Sequence, residues 1–271
     1  MGMKILAVGD PHGDIKKVKK ISKKGIDLVL ITGNVGKADF ARKFYFDNLK
    51  RKEKGLSEKK YTKVETKKVY SEIHDSTIKI LKYFCEKIPT YSILGNVGNN
   101  MIRNAKVRKD EEKYKIKLPY LRKSLEKLKN FHLVKNRVRN IGGIRIGFLE
   151  YFNDICWDKE FGIKDKKKLK KVRKETLKSK KILKNFGSLD ILVCHQPPYG
   201  YLDKVSLKYN PPKSWVGKHA GSKVILDYVK KHQPKYVFCG HIHEGEGKTK
   251  IGKSWIYNLG VAGHKIINFK R

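Results

Sequence analysis

The chain of 271 residues is long enough for one large α/β domain with a sizeable core, and we expect a single domain over residues 1–271. No run of eighteen apolar residues occurs, the N-terminus develops into a strand and the four cysteines form no Cys-x-x-Cys pair, so we expect a cytoplasmic protein with reduced thiols and no membrane segment. The 64 Lys and Arg residues exceed the 26 Asp and Glu residues by 38 charges, an imbalance that predicts non-specific attraction to nucleic acids and other polyanions.

In the first half of the chain, short β-branched and aromatic runs alternate with amphipathic stretches, a pattern typical of an α/β fold. These runs predict strands over 4–8, 27–32 and 91–94, and helices over 14–24, 62–87 and the first part of 38–60, which ends in a basic loop. Asp14 begins the first helix, where an N-cap is the preferred role over a metal ligand. The basic segment 96–118 has no clear period, and we expect a loop over the mouth of a cleft.

The second half continues the same alternation. We predict a short helix from Pro119, strands over 131–134, 137–141, 144–149, 189–194 and 236–239, and helices over 164–184 and 222–232. Final strands near 248–251, 255–258 and 265–269 would complete a second sheet. The helix over 164–184 is very basic, and a solvated outer face and a polyanion-binding face are both open interpretations.

Polar residues of metal-ligand type follow five of the predicted strands at the same end. They are Asp10 and His12 after the first strand, Asn34 after the second, Asn96 after the third, His195 after 189–194, and His241 and His243 after 236–239. A His-x-His pair alone is weak evidence of a metal site. Open α/β sheets, however, place ligands at the carboxyl ends of their strands, and imidazole binds Mn, Fe, Co and Zn. Five such ends in one chain therefore predict a metal site.

The order Asp-x-His, Gly-Asn, Gly-Asn, His and Gly-His-x-His resembles the calcineurin-like metallophosphoesterases, from Asp10 to His243. The resemblance implies a four-layer α/β/β/α sandwich and two divalent metal ions, Mn, Fe, Ni or Zn, that activate a hydroxide for attack on a phosphoester. By the family's assignment, one metal is held by Asp10, His12 and His243, and the other by Asn96, His195 and His241. Asn34 lies where the family has a bridging aspartate.

Two departures from the family pattern bear on activity. Asn34 is neutral, which leaves Asp10 as the single carboxylate of the site and predicts a weak or empty second metal site. Val97 and Gly98 replace the histidine that would protonate the leaving oxygen and the acid that would orient it. The resemblance includes a branch of phosphodiesterases that lacks this histidine and remains active, and we expect a loss of roughly 10²–10⁴-fold on poor leaving groups.

Three functional hypotheses follow from these residues. The first is a metal-dependent phosphohydrolase, a phosphodiesterase, whose catalytic acid is unassigned. The second is a scaffold or interaction protein of the same fold with little or no turnover, and the third is a nuclease that uses the basic surface. His219 precedes the helix over 222–232 and could face the cleft as a substrate-binding residue, with a structural role as its alternative.

Overall fold

The computed structural model describes residues 2–99, 101–209 and 211–270, and within these ranges the chain forms eleven strands and eight α-helices. The strands are β1 (Met3–Val8), β2 (Leu28–Ile31), β3 (Thr90–Ser92), β4 (Phe131–Leu133), β5 (Arg137–Ile141), β6 (Ile144–Leu149), β7 (Ile191–Cys194), β8 (Tyr236–Cys239), β9 (Gly247–Ile251), β10 (Ser254–Asn258) and β11 (His264–Phe269). The helices are α1 (Ile15–Lys19), α2 (Asp39–Glu53), α3 (Lys63–Cys85), α4 (Asn104–Tyr114), α5 (Leu121–Leu125), α6 (Ile155–Glu160), α7 (Lys166–Phe186) and α8 (Lys223–His232). Among these described helices, none combines the length and the apolar character that a membrane span requires.

The strands form two mixed sheets. The first has the order β11-β1-β2-β3-β4, with β1 to β4 parallel and β11 antiparallel to β1. The second has the order β5-β6-β7-β8-β10-β9, with antiparallel pairs at both edges. Val8 pairs with Ile31, and Ile31 pairs with Ser92, so the turns after β1, β2 and β3 leave the first sheet at nearly one level. The register thus brings their polar residues together.

The two sheets stack on each other, and helices cover both outer faces. Along β1, Ile5 and Ala7 enter the core between the sheets, whereas Leu6 and Val8 enter the core beneath α1 and α3. This alternation follows from the two-residue period of a strand. On the far side, α7 and α8 pack on the second sheet through residues such as Leu183 and Ile225. The predicted four-layer α/β/β/α sandwich is confirmed.

Helix boundaries follow local capping chemistry. Thr62 and Glu65 form a reciprocal capping box at the start of α3, and Asp165 accepts hydrogen bonds from two backbone N–H groups at the start of α7. Asp14 accepts from the Lys17 N–H, so its predicted N-cap role is confirmed. α1 ends after five residues, earlier than the predicted 14–24, because the N–H groups of Lys20 and Ile21 bond to carbonyl groups three residues back instead of four.

Two predicted elements were wrong. The segment 96–118, predicted to be a loop, contains α4. The buried residues of α4 are Val107 and the acidic Asp110, so a single buried apolar residue leaves no apolar period in the sequence. The last strand, β11, was expected in the second sheet but pairs with β1 in the first. α6 was not predicted, since its six residues are too few to show a helical period.

Candidate metal centre

The turns after β1 and β8 bring three ligand-type side chains into one cluster. Ligand atoms of Asp10, His12 and His243 all lie within 4.8 Å of one another. The Nε2 atoms of His12 and His243 are 3.3 Å apart, and the His243 Nε2 is 3.3 Å from Asp10 Oδ2. Tetrahedral zinc with bonds of about 2.0–2.1 Å would separate its ligands by roughly 3.3 Å. These distances therefore fit a transition-metal ion.

Asp10 is the central acid of the site and is fully buried. Its Oδ1 accepts a hydrogen bond of 2.9 Å from the Thr32 hydroxyl, and its Oδ2 accepts one of 2.7 Å from the His241 backbone N–H. Burial alone would raise the pKa of Asp10, but the neighbouring imidazoles, His195 foremost, hold that pKa below its usual range. Asp10 is therefore ionised and fixed in orientation before any ligand binds.

His195 and two asparagines form a second group of convergent side chains. The Asn34 Oδ1 accepts the Val97 backbone N–H at 2.8 Å, which identifies the other end of this amide as the NH₂ group. That NH₂ donates to Asn96 Oδ1 at 2.8 Å, so the oxygen of Asn96 is also identified. The same Asn96 oxygen lies 2.8 Å from the Nε2 of His195.

The tautomer of His195 follows from its other nitrogen. Nδ1 lies 2.9 Å from the Thr32 carbonyl oxygen, which can only accept, so Nδ1 carries the proton. Burial lowers the pKa of His195, and the neutral ring then directs an Nε2 lone pair at the Asn96 oxygen. Two acceptors facing each other at 2.8 Å repel unless a cation lies against both of them.

His241 completes this second group. Its Nε2 is buried and has no hydrogen-bond partner among the residues that the structure describes, and its ring centroid lies 4.8 Å from that of His195. Burial holds the pKa of His241 well below its ordinary value, and burial likewise lowers the pKa of His12 to about 4. Neutral imidazoles keep the lone pairs that a metal requires.

The backbone at the site is strained. His12, Asn34 and His241 have φ values of 44°, 43° and 65°, in the left-handed region that non-glycine residues avoid. Gly240 is required for close approach, because a Cβ there would overlap the Asp10 carboxylate. Gly95, at φ 73°, is equally constrained, since a Cβ added at this position would lie 2.6 Å from Asn34 Oδ1. Such strain is typical of functional sites, where surrounding packing holds side chains in place.

Glu150 was missed by the sequence reasoning, although it follows β6 just as the other polar residues follow their strands. It is buried, and its carboxylate accepts the N–H groups of Leu94 at 2.8 Å and Gly95 at 3.3 Å. Burial raises the pKa of Glu150. Because Leu94 and Gly95 lead directly to Asn96, the acid fixes the turn that carries one of the candidate ligands.

His219 does not join the candidate ligands. Its Nδ1 lies 2.7 Å from the buried carboxylate of Asp203, which also accepts the N–H groups of Gly200 and Gly221. Beside the metal centre lies a cavity of about 820 Å³, and the described residues that line it do not include His219. A role for His219 in substrate binding stays a prediction, while its contact with Asp203 stabilises the proline-rich loop, the segment 196–220 that carries four prolines.

The donor set fits transition metals, because it combines one carboxylate, one amide oxygen and four imidazoles. Asp10, His12 and His243 could hold one ion, and Asn96, His195 and His241 a second. The unpartnered His241 Nε2 and the opposed acceptors of His195 and Asn96 favour a cation at the second position. The NH₂ group of Asn34 points toward Asn96. Its oxygen accepts the Val97 backbone N–H and therefore does not face either set of candidate ligands.

An Asp/His cluster at the strand ends of a two-sheet sandwich defines a candidate metallohydrolase. The sequence matches the family model of the calcineurin-like phosphoesterases over residues 3–245, and the chain belongs to this family. UPF0046 protein C25E10.12 of Caenorhabditis elegans is 30% identical over 81 residues, which cover 30% of this chain and only 27% of that relative. A solved crystal structure aligns over 100% of both chains at 16% identity and a TM-score of 0.56, which supports the fold. The crystal structure of TT1561 of Thermus thermophilus aligns over 99% of both chains at 14% identity and a TM-score of 0.45.

Proposed function

We propose that this protein is a metal-dependent phosphodiesterase with two metal positions of unequal strength. The observation that carries the proposal is the cluster of Asp10, His12 and His243, whose ligand atoms all lie within 4.8 Å of one another. Asp10, His12 and His243 would form the stronger position, because it contains the single carboxylate. Asn96, His195 and His241 would form the weaker, uncharged position. We also propose one domain over residues 1–271 and a cytoplasmic location.

When bound, divalent metals polarise a phosphoryl group and lower the pKa of a bound water. The protein's own side chains set the rest of the chemistry. Thr32 and the His241 N–H orient Asp10, and the Thr32 carbonyl fixes the His195 tautomer. Val97 lines the cavity with a side chain that cannot donate a proton, so the leaving oxygen must depart without an acid from that position. We therefore infer a preference for diesters with good leaving groups.

A second candidate function is supported by Asn34. Its NH₂ group lies close to the weaker position, where a donor disfavours a cation, and this favours a scaffold or interaction protein with little turnover. The basic surface supports nucleic acid as a partner or substrate, since most lysines of α7 are exposed. Among them, Lys168 contacts the carboxylate of Asp158. Metal content and turnover together distinguish these alternatives.

The test is a metal titration of the wild type and of the double variant His195→Ala/His241→Ala. We expect the variant to lose the weaker metal, to retain the stronger one and to lose diesterase activity. A matched control, His132→Ala/His264→Ala, removes two exposed histidines away from the candidate ligands and should change neither quantity. Unchanged metal stoichiometry in the first variant would contradict the assignment. A wild type with two metals and no turnover would favour the scaffold.

A further inference from the structure

The cavity beside the metal centre is large and mostly aromatic near the candidate ligands. Its volume of about 820 Å³ lies within the range of roughly 300–1,000 Å³ usual for small-molecule sites, and His12, His241 and His243 form part of its wall. The Trp157 ring lies 5.9 Å from that of His241, and the Tyr209 ring lies 5.5 Å from that of His243. Aromatic surface therefore begins directly at the metal centre.

These rings come from separate elements that meet at the cavity. Trp157 is on α6, Trp215 is in the proline-rich loop and Phe46 is on α2, with centroid distances of 5.9 Å from Trp157 to Trp215 and 6.4 Å from Phe46 to Trp215. All three are only partly buried, and the neighbouring Tyr45 is 56% exposed. Apolar rings left open to water in a concave surface indicate a ligand that covers them.

Arg42 lies between the candidate ligands and the aromatic wall, the surface formed by Phe46, Trp157 and Trp215. The centre of its guanidinium is 5.6 Å from the Phe46 ring and 5.7 Å from the Tyr209 ring, and the side chain lines the same cavity as His12. Within residues 2–99, 101–209 and 211–270, no carboxylate pairs with it; the nearby Asp39 pairs with Lys37 instead. Its N–H groups are thus free to bind an anion, and a guanidinium binds phosphate oxygens in a bidentate manner.

We propose that the substrate is a phosphodiester with a large planar aromatic group on one arm, that this group binds against Phe46, Trp157 and Trp215, and that Arg42 holds the phosphate. The inference rests on the proposed phosphodiesterase activity. It places the phosphate where the ligand cluster and the aromatic wall meet. Arg42 supplies positive charge near a site that lacks the family's histidine, but it cannot act as an acid, because a guanidinium remains protonated in proteins.

A flat ring fits the observations better than an alkyl chain. The rings meet at steep angles, 84° between Trp157 and Trp215 and 65° between Phe46 and Trp215, so a ligand ring bound against this wall from the cavity can stack on one ring and meet the edge of another. A flexible chain would fill the same space without these directional contacts and would lose more conformational freedom on binding. Discrimination between planar and flexible arms of similar size is therefore the measurable consequence.

The test uses phosphodiesters that share one aliphatic activated leaving group, hexafluoroisopropanol, and whose second arm is methyl, phenyl or octyl; release of the fluorinated alcohol is followed by fluorine NMR. We expect a KM for the phenyl diester roughly tenfold below that for the methyl diester. Phe46→Leu should raise the KM for the phenyl diester severalfold and so remove most of this advantage, with a much smaller effect on the KM for the methyl diester. The matched control is Phe44→Leu, two residues away on α2 and outside the cavity lining. Equal KM values for methyl and phenyl arms in the wild type, or an octyl arm as favourable as phenyl, would overturn the proposal.

Arg42 is tested with the same substrates. Arg42→Ala should lower kcat/KM by roughly 10–100-fold for every arm, because it removes a charged hydrogen bond to the shared phosphate. Lys43→Ala removes the same charge from the next residue, which is exposed and does not line the cavity, and should have little effect. Equal losses in the two variants would show that Arg42 acts only through net charge and would overturn its role.

Binding separates this inference from the proposed function. Diphenyl phosphate has poor leaving groups, and its binding can be followed by calorimetry without turnover. If the wild type binds it more tightly than dimethyl phosphate, and Arg42→Ala and Phe46→Leu weaken that binding, the cavity assignment stands even where no diester is hydrolysed. Turnover with no difference between diphenyl and dimethyl phosphate binding would retain the proposed function and overturn the substrate assignment.

Discussion

Replacing Asn34 with aspartate tests the electrostatics of the metal centre most directly. Asn34 is 3% exposed; its oxygen accepts the Val97 N–H and its NH₂ donates to the Asn96 oxygen. An aspartate side chain could keep the first hydrogen bond and would lose the second. In its place, a negative oxygen would lie beside Asn96 Oδ1. The substitution therefore changes the site by one charge and one donor, with almost no change in volume.

The added charge would act on a cation at short range. At an effective dielectric constant near 20, a unit negative charge about 4 Å from a cation contributes about 4 kcal/mol per unit of cation charge. Against this stand a desolvation penalty of several kcal/mol for a buried carboxylate and about 1 kcal/mol for the lost hydrogen bond. For a dication the attraction exceeds these costs, and we expect the weaker metal to bind at least about tenfold more tightly.

The assay is a Mn²⁺ titration of the wild type and Asn34→Asp, followed by metal binding and by hydrolysis of an activated diester. Without metal the variant should unfold at a lower temperature, since the buried charge is uncompensated, and metal should raise its melting temperature more than that of the wild type. Asn34→Ala is the control, because it removes the same donor and adds no charge. Equal midpoints for the aspartate variant and the wild type would refute the bridging position of residue 34.

Three further predictions concern other parts of the molecule. The wild-type rate should fall steeply as the pKa of the leaving group rises, and Val97→His should flatten this dependence in a leaving-group series; a wild-type rate that ignores leaving-group pKa would point to another acid. Exposed lysines of α7 can be replaced with glutamine at Lys167, Lys170, Lys171 and Lys174, while Lys168 is left intact because it pairs with the buried Asp158. The slope of log K against log salt for DNA binding should then decrease by roughly 0.7–0.9 per lost contact. An unchanged slope would place the contacts elsewhere. Glu150→Ala should destabilise the protein by about 1–3 kcal/mol in denaturant unfolding, because two buried N–H groups lose their acceptor, and it should weaken binding of the second metal; equal stability and metal binding would contradict the positioning role.

The strands that carry the candidate ligands can be predicted from the amino-acid sequence alone. Runs such as 236–239 are buried on both faces, so they read as continuous apolar segments, and the polar residue after each run marks the strand's carboxyl end. Capping residues such as Asp14 were equally readable, since an N-cap is a local interaction within one turn. The order of the five motifs then indicated the family and its four-layer fold, because that order reflects the whole chain.

Contacts between residues far apart in the chain depend on how the elements pack in three dimensions. The pairing of β11 with β1 depends on which sheet edge is open, and α4 is stabilised by contacts such as Tyr70 to Asp110 across 40 residues. The direction of the Asn34 amide is set by the Val97 N–H, and Glu150 acquires its role from two N–H groups more than 50 residues away. Arg42 meets the aromatic wall for the same reason. Local sequence encodes periodicity and caps, whereas hydrogen-bond direction and the burial of a charge depend on neighbours that only the folded chain brings together.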